Sequence, residues 1–131
     1  MLGRGYKALL EEADKVATTI PVAVALGLKN DPDVLFVDIR DPRELERDGM
    51  IPGAFSAPRG MLEFWVEPDS PYYKSVFGGE NKRLLLYCTS AWRSALAVKT
   101  LQDMGLEKVA HLEGGLNAWK AAGGPIVKRG G

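Results

Sequence analysis

Cys88 is the single cysteine in a chain of 131 residues. It stands where an apolar run, Arg83-Leu84-Leu85-Leu86-Tyr87, gives way to the polar segment Thr89-Ser90-Ala91-Trp92-Arg93-Ser94. With no second cysteine it has no partner for an internal disulfide. The expected order here is strand, loop, helix, which puts one sulfur at a strand-to-helix junction. The thiolate is the nucleophilic form of cysteine, and a nearby cation or a helix N-terminus favours it. Cys88 is expected to have both. The N–H groups of Thr89, Ser90, Ala91, Trp92 and Arg93 curl into a concavity around the sulfur, and the positive end of a helix over 94–104 points toward it. Such a cradle stabilises a thiolate and an anion brought to it.

The side chains nearby each have two readings. Arg93 binds an anion, or it braces the loop against a carboxylate such as Asp38 or Glu113. Asp38 and Arg40 read as structural ion-pair partners more than as acid and base, with Arg40 and Glu44 spaced for a pair at a helix start. Trp92 is an aromatic wall or an anchor for the loop. Thr89 and Ser90 donate hydroxyl hydrogen bonds or simply suit a tight loop. Arg59 attracts an anion or is a solvated surface charge. His111, the only histidine, lies in an apolar run and reads as packing, and alone it cannot build a metal cluster. No metal or cofactor is expected.

The elements that must position these groups follow from the pattern. The runs Val34-Leu35-Phe36-Val37, Leu84-Leu85-Leu86-Tyr87 and Val109-Ala110-His111-Leu112 are short and continuously apolar, as in strands buried on both faces. A shorter run, 54–57, is a further strand candidate. Segments 42–47, 94–104 and 116–122 have helical composition, and Gly105 and Gly123 follow two of them as stops. Segment 6–16 is an amphipathic helix outside the main sheet, with Leu9, Leu10, Ala13 and Val16 on one side. This alternation predicts an α/β fold with a mostly parallel sheet and helices on both faces. Ligands in such a sheet bind at the carboxyl ends of the strands. Two loops leave such ends, one after Asp38-Ile39-Arg40-Asp41 and one at Cys88. Segment 58–79, with Phe64, Trp65, Tyr72, Tyr73 and Phe77, is expected to hold one or two short helices and to wall a pocket.

Length and a 46% hydrophobic content suit one domain with a genuine core. Seventeen basic residues balance 17 acidic ones, so neither nucleic acid nor an anionic membrane is an expected partner. The apolar stretch 20–28 carries a proline and a glycine and is far short of the ~20 residues of a membrane span. Glu11, Glu12 and Asp14 stand where a signal peptide would be apolar. A soluble, reducing, cytoplasmic setting is expected, in which Cys88 stays a thiol.

Four segments together carry a resemblance. Asp38-Ile39-Arg40-Asp41 with Glu44, Ile51-Pro52-Gly53-Ala54, Tyr87-Cys88-Thr89-Ser90-Ala91-Trp92-Arg93-Ser94, and Leu112-Glu113-Gly114-Gly115 with Trp119 resemble the ordered motifs of the rhodanese, or sulfurtransferase, family. The likeness divides the chain into a helical extension, 1–17, a rhodanese-like domain, 18–127, and a tail, 128–131. It implies a central, mostly parallel five-stranded sheet and a catalytic Cys88 that carries sulfur as a persulfide. Thr89, Ser90, Ala91, Trp92 and Arg93 then bind substrate, supported by Asp38, Arg40 and Arg59. The implied reaction moves sulfane sulfur from thiosulfate or a related donor to cyanide or a thiol, with small-molecule or protein donors and acceptors. A non-enzymatic persulfide carrier or protein-interaction module is the alternative.

Spacing bears on a third chemistry. Cys88 and Arg93 have four residues between them, whereas cysteine phosphatases characteristically place five there to enclose a tetrahedral phosphate. The shorter ring favours sulfur. An inert core thiol is the usual fate of a lone cysteine, but a polar loop and an arginine are not what such a plug requires. Two positions depart from the family pattern. Ala91 stands where glycine is common, which introduces strain if the site needs a positive φ, and Met50 stands where histidine precedes the Ile-Pro-Gly-Ala motif. The Gly130-Gly131 end resembles the tail of ubiquitin-like sulfur carriers and is assigned no function.

Overall fold

The computed structural model describes residues 2–79 and 81–129, so the Gly130-Gly131 end lies outside the described residues. Three apolar runs form the middle of the sheet: β2 (Val34–Asp38), β4 (Arg83–Tyr87) and β5 (Val109–Leu112). Two strands of two residues, β1 (Thr19–Ile20) and β3 (Phe55–Ser56), flank them in the order β1-β5-β4-β2-β3. Every pairing is parallel. The expected five-stranded sheet with helices on both faces is therefore the observed one.

Alternation along the strands separates two cores. On one face Leu84, Leu86 and Cys88 of β4 and its extension meet Val37, Val109 and residues of α4 (Leu62–Val66) and α5 (Trp92–Asp103). On the other, Leu85 and Tyr87 meet Phe36, Ala25 of α2 (Val22–Leu28), and Leu116 and Trp119 of α6 (Gly115–Ala121). Trp119 is fully buried beside Phe36, and its indole N–H donates to the Pro125 carbonyl at 2.8 Å. Helix α1 (Tyr6–Val16) lies outside, against α5. Segment 58–79 holds α4 and two single 3₁₀ turns. Helix α5 begins two residues before the expected Ser94, and the apolar stretch 20–28 contains a strand end and helix α2 that its composition alone did not separate.

Register puts the site together. Asp38 pairs with Tyr87, so β2 and β4 end level, and the loops after them leave side by side. At the end of β2, Asp38 and Arg40 form a fully buried pair. Arg40 Nε donates to Asp38 Oδ1 at 3.0 Å and Nη2 to Oδ2 at 2.8 Å. The same Nη2 donates to the Gly49 carbonyl at 2.7 Å, which ties the pair to the end of α3 (Pro42–Asp48). Arg40 Nη1 faces Asp48 Oδ2 at 3.6 Å, an electrostatic contact longer than a hydrogen bond. Tyr87 completes the cluster, accepting the Ile51 N–H at 3.1 Å. Burial, reinforced by the Asp38 charge, pushes the Tyr87 phenol far above its ordinary value and keeps it neutral. Arg40 is thus a structural partner of Asp38, as expected, but it makes no helix-start pair with Glu44, because its guanidinium turns inward.

Removing one member of a buried pair strands the other charge away from water. Asp38→Ala is expected to lower the unfolding free energy by about 3–5 kcal/mol, measured by urea denaturation followed by tryptophan fluorescence. A loss near zero would show that the pair does not hold the strand ends.

Candidate active site

Cys88 follows β4 directly and is only 1% exposed. Its backbone is gripped from α6: the Leu116 N–H donates to the Cys88 carbonyl at 2.8 Å and the Asn117 N–H to the Thr89 carbonyl at 3.1 Å. This approach is so close that a Cβ on Gly115, whose φ is +63°, would stand 2.6 Å from both carbonyl oxygens. Glycine is required there on space as well as on conformation. The Leu112-Glu113-Gly114-Gly115 segment therefore serves the cysteine loop from beneath.

With its carbonyls turned to α6, the loop leaves its amides on the other side. Among the described residues, the backbone N–H groups of Thr89, Ser90, Ala91, Trp92, Arg93 and Ser94 donate to no protein acceptor, and the first such bond in α5 is Ala95 N–H to the Ala91 carbonyl at 3.1 Å. Ala91 has φ 74° and ψ 0°, the sole positive φ outside glycine among the described residues. The strain anticipated from its departure from glycine is present.

Arg93 takes the bracing role. Its Nη1 and Nη2 donate to Glu44 Oε2 and Oε1 at 2.8 and 3.0 Å, and Nη2 also lies 3.3 Å from Thr89 Oγ1. The carboxylate is Glu44 of α3, in place of the Asp38 or Glu113 named from the sequence. Glu44 Oε2 also accepts the Asp41 N–H at 3.0 Å, and the Asp41 carboxylate accepts from the Arg43 N–H, which completes a capping box at the start of α3. One glutamate thus joins the α3 cap to the cysteine loop. Hydrogen bonding from Arg93 holds the Glu44 carboxyl below its ordinary range, outweighing its partial burial. Arg93 is raised in turn, mainly by Glu44, with smaller contributions from Cys88 and Asp38.

The remaining predicted residues divide. Trp92 is 57% exposed and stacks on Tyr6 of α1 with ring centroids 5.5 Å apart, so it is at once an exposed wall beside the loop and an anchor for α1. Ser90 is exposed at the loop tip. Asp38 and Arg40 lie buried behind the loop. Arg59 is half-buried, paired with Glu63 at 2.7 Å and 3.3 Å from Thr100 Oγ1. That charge pairs between α4 and α5 while staying partly exposed.

Two polar residues that the sequence reading did not place at the site lie in line with the sulfur. Ser94 Oγ lies 3.6 Å from Cys88 Sγ and 2.9 Å from His111 Nδ1. The signal available for Ser94 was its place in the first turn of a helix beginning beside the cysteine; for His111 it was strand register, which pairs it with Leu86 on the same sheet face as Cys88. Burial pushes the His111 imidazole down, and the Asp14 carboxylate partly offsets this. Among the described residues, no three His, Cys, Asp or Glu side chains converge as metal ligands.

Comparison with known proteins gives this geometry a context. The rhodanese-like domain family matches residues 22–122. A protein of Allochromatium vinosum named sulfurtransferase is 35% identical over 100 residues, covering 76% of this chain and 84% of its own length. An uncharacterized protein of Synechocystis is 39% identical over 110 residues, 84% of this chain, which spans only 56% of that relative's length. A solved structure from Rhodopseudomonas palustris, described as of unknown function and a possible tyrosine phosphatase, superposes with a TM-score of 0.91 at 56% identity and covers 97% of each chain.

Two outcomes follow from the loop. Because alanine in the left-handed region costs about 1 kcal/mol or more, Ala91→Gly is expected to raise stability by roughly that amount, read from urea midpoints; a loss would show that the alanine is unstrained. For Glu44, a carboxyl held below its ordinary 4.5 stabilises fully above that value and loses the contribution as pH falls through the lowered one. Glu44→Gln should therefore be less stable than the parent by about 1 kcal/mol at neutral pH, with the gap closing in acid. A gap that does not change with pH would remove the charge from the account.

Proposed function

This chain belongs to the rhodanese-like domain family, and on that premise we propose that it is a sulfurtransferase that moves sulfane sulfur through a persulfide on Cys88. The observation that carries the reading is the cysteine loop itself: a thiol at the end of a central strand, followed by main-chain amides with no protein acceptor and separated from Arg93 by four residues. In the first half-reaction the Cys88 thiolate attacks the outer sulfur of an anionic donor such as thiosulfate. The donor S–S bond breaks, and sulfite leaves with the electron pair. Cyanide or a thiol then attacks the outer sulfur of the persulfide, and the Cys88 thiolate returns. The amides of residues 89–94 hold the donor's negative charge in the first step and the persulfide's in the second.

In this reading Thr89, Ser90, Ala91 and Trp92 supply the cradle and its rim, and Arg93 fixes its shape. Asp38 and Arg40 hold the strand ends behind it. Residues 18–127 form the functional unit, with 1–17 as an extension that reaches the loop through Tyr6. The site takes small-molecule donors and acceptors, and the exposed Trp92 leaves room for a protein donor or acceptor. Among the described residues no helix is long and apolar enough to cross a membrane. A reducing cytoplasm is the setting that keeps the lone thiol available.

Phosphatase activity is the second reading, favoured by the description of the Rhodopseudomonas structure. Two features weigh against it. The loop is one residue shorter than a phosphate-enclosing ring, and both terminal nitrogens of Arg93 are engaged by Glu44.

Intact-protein mass after incubation with thiosulfate separates these readings. The expected result is a gain of one sulfur atom that cyanide removes as thiocyanate and that Cys88→Ser lacks. Sulfur that loads but is discharged only by another protein makes the chain a carrier. Absence of loading together with Cys88-dependent hydrolysis of an aryl phosphate overturns the sulfur reading.

A further inference from the structure

A line of hydrogen-bonding side chains runs from Cys88 to the edge of the sheet. Cys88 Sγ lies 3.6 Å from Ser94 Oγ, Ser94 Oγ 2.9 Å from His111 Nδ1, and His111 Nε2 3.1 Å from Thr19 Oγ1. Cys88, Ser94 and His111 are 1%, 0% and 3% exposed. Thr19 is exposed, on the edge strand β1, where it pairs with His111 in the parallel register. The line therefore connects a thiol with almost no access to water to the surface of the sheet.

Its donor order has two solutions. A serine hydroxyl carries one hydrogen, and so does a neutral imidazole. With Cys88 as a thiol, S–H donates to Ser94, Ser94 O–H to Nδ1, and Nε2–H to Thr19. With Cys88 as a thiolate, every bond reverses: Thr19 O–H donates to Nε2, Nδ1–H to Ser94 Oγ, and Ser94 O–H to the sulfur. Interconversion moves protons without moving a heavy atom.

We infer that Ser94 and His111 are positioning residues that pass the Cys88 proton out to Thr19 and leave the Ser94 hydroxyl aimed at the sulfur anion; their use in sulfur transfer rests on the function proposed above. The S–H bond breaks with its electron pair kept on sulfur, and the proton goes to Ser94 Oγ. The proton that Ser94 held goes to Nδ1, the one on Nε2 goes to Thr19 Oγ1, and the one Thr19 held goes to water. Serine, histidine and threonine end neutral, the imidazole has exchanged tautomers, and nothing is oxidised or reduced. The charged groups acting on the line are Arg93 from α5 at its sulfur end and Asp14 from α1 at His111. Burial disfavours a charged imidazole here, so the ring passes a proton on and does not keep it. With Cys88 almost fully buried, the line gives its proton a way out to the surface at Thr19.

Because His111 is the only histidine, its ring nitrogens are resolved without assignment by nitrogen-15 NMR. The intact chain is compared as free thiol and after loading with thiosulfate, with mass confirming the added sulfur. The expected result is a change from Nε2–H to Nδ1–H on loading, lost in Ser94→Ala and restored in Ser94→Thr. An unchanged histidine in a protein that mass shows to be loaded overturns the relay and leaves sulfur transfer standing. Should thiosulfate fail to load, sulfur transfer falls, and the same spectra recorded while thiolate absorbance follows Cys88 ionisation still decide: a tautomer change coincident with ionisation upholds the relay, and none overturns it.

Discussion

The site depends on where two carbonyls point. In a trans peptide the C=O and the following N–H lie on opposite sides of the chain. Once the Leu116 and Asn117 amides take the carbonyls of Cys88 and Thr89, the N–H groups of Thr89 and Ser90 are directed away from α6. Gly115 allows that grip by letting the α6 backbone approach where no Cβ would fit. The positive φ of Ala91 then turns the chain into α5, whose first amides also have no protein acceptor. The double glycine thus determines the shape of a loop more than twenty residues earlier.

Charge is arranged in two pairs behind and beside that loop. Asp38 and Arg40 neutralise each other in full burial, and Glu44 and Arg93 do so at the rim. Arg40 and Arg93 are both paired with carboxylates, so neither stands as a free cation beside the loop. This agrees with a chain whose formal charges cancel. A bidentate guanidinium pair also fixes direction better than a lysine would, which suits two arginines whose work is to hold loops in place.

The parts legible in the sequence were those that local pattern determines. Three continuously apolar runs announced the central strands, and Cys88 at the end of one announced the loop. The left-handed turn at Ala91 was readable because a side chain stood where glycine is usual. Tertiary facts were not readable. Strand β1 has two residues and no pattern of its own, so it and α2 merged into one apolar stretch. Glu44 was noticed but given the wrong arginine, because its pairing with Arg93 spans 49 positions and needs the level ends of β2 and β4. His111 read as packing, and it is buried, but its hydrogen bond to Ser94 depends on register that the sequence does not show.

The depth at which Cys88 sits bears on regiochemistry. A persulfide has two electrophilic sulfurs: attack at the inner one expels hydrosulfide and traps the enzyme as a mixed disulfide, whereas attack at the terminal one yields turnover. Cys88 is 1% exposed, so in the sulfur-transfer reading the inner sulfur of its persulfide would be shielded and the terminal one presented, and burial alone would guard against a dead-end adduct.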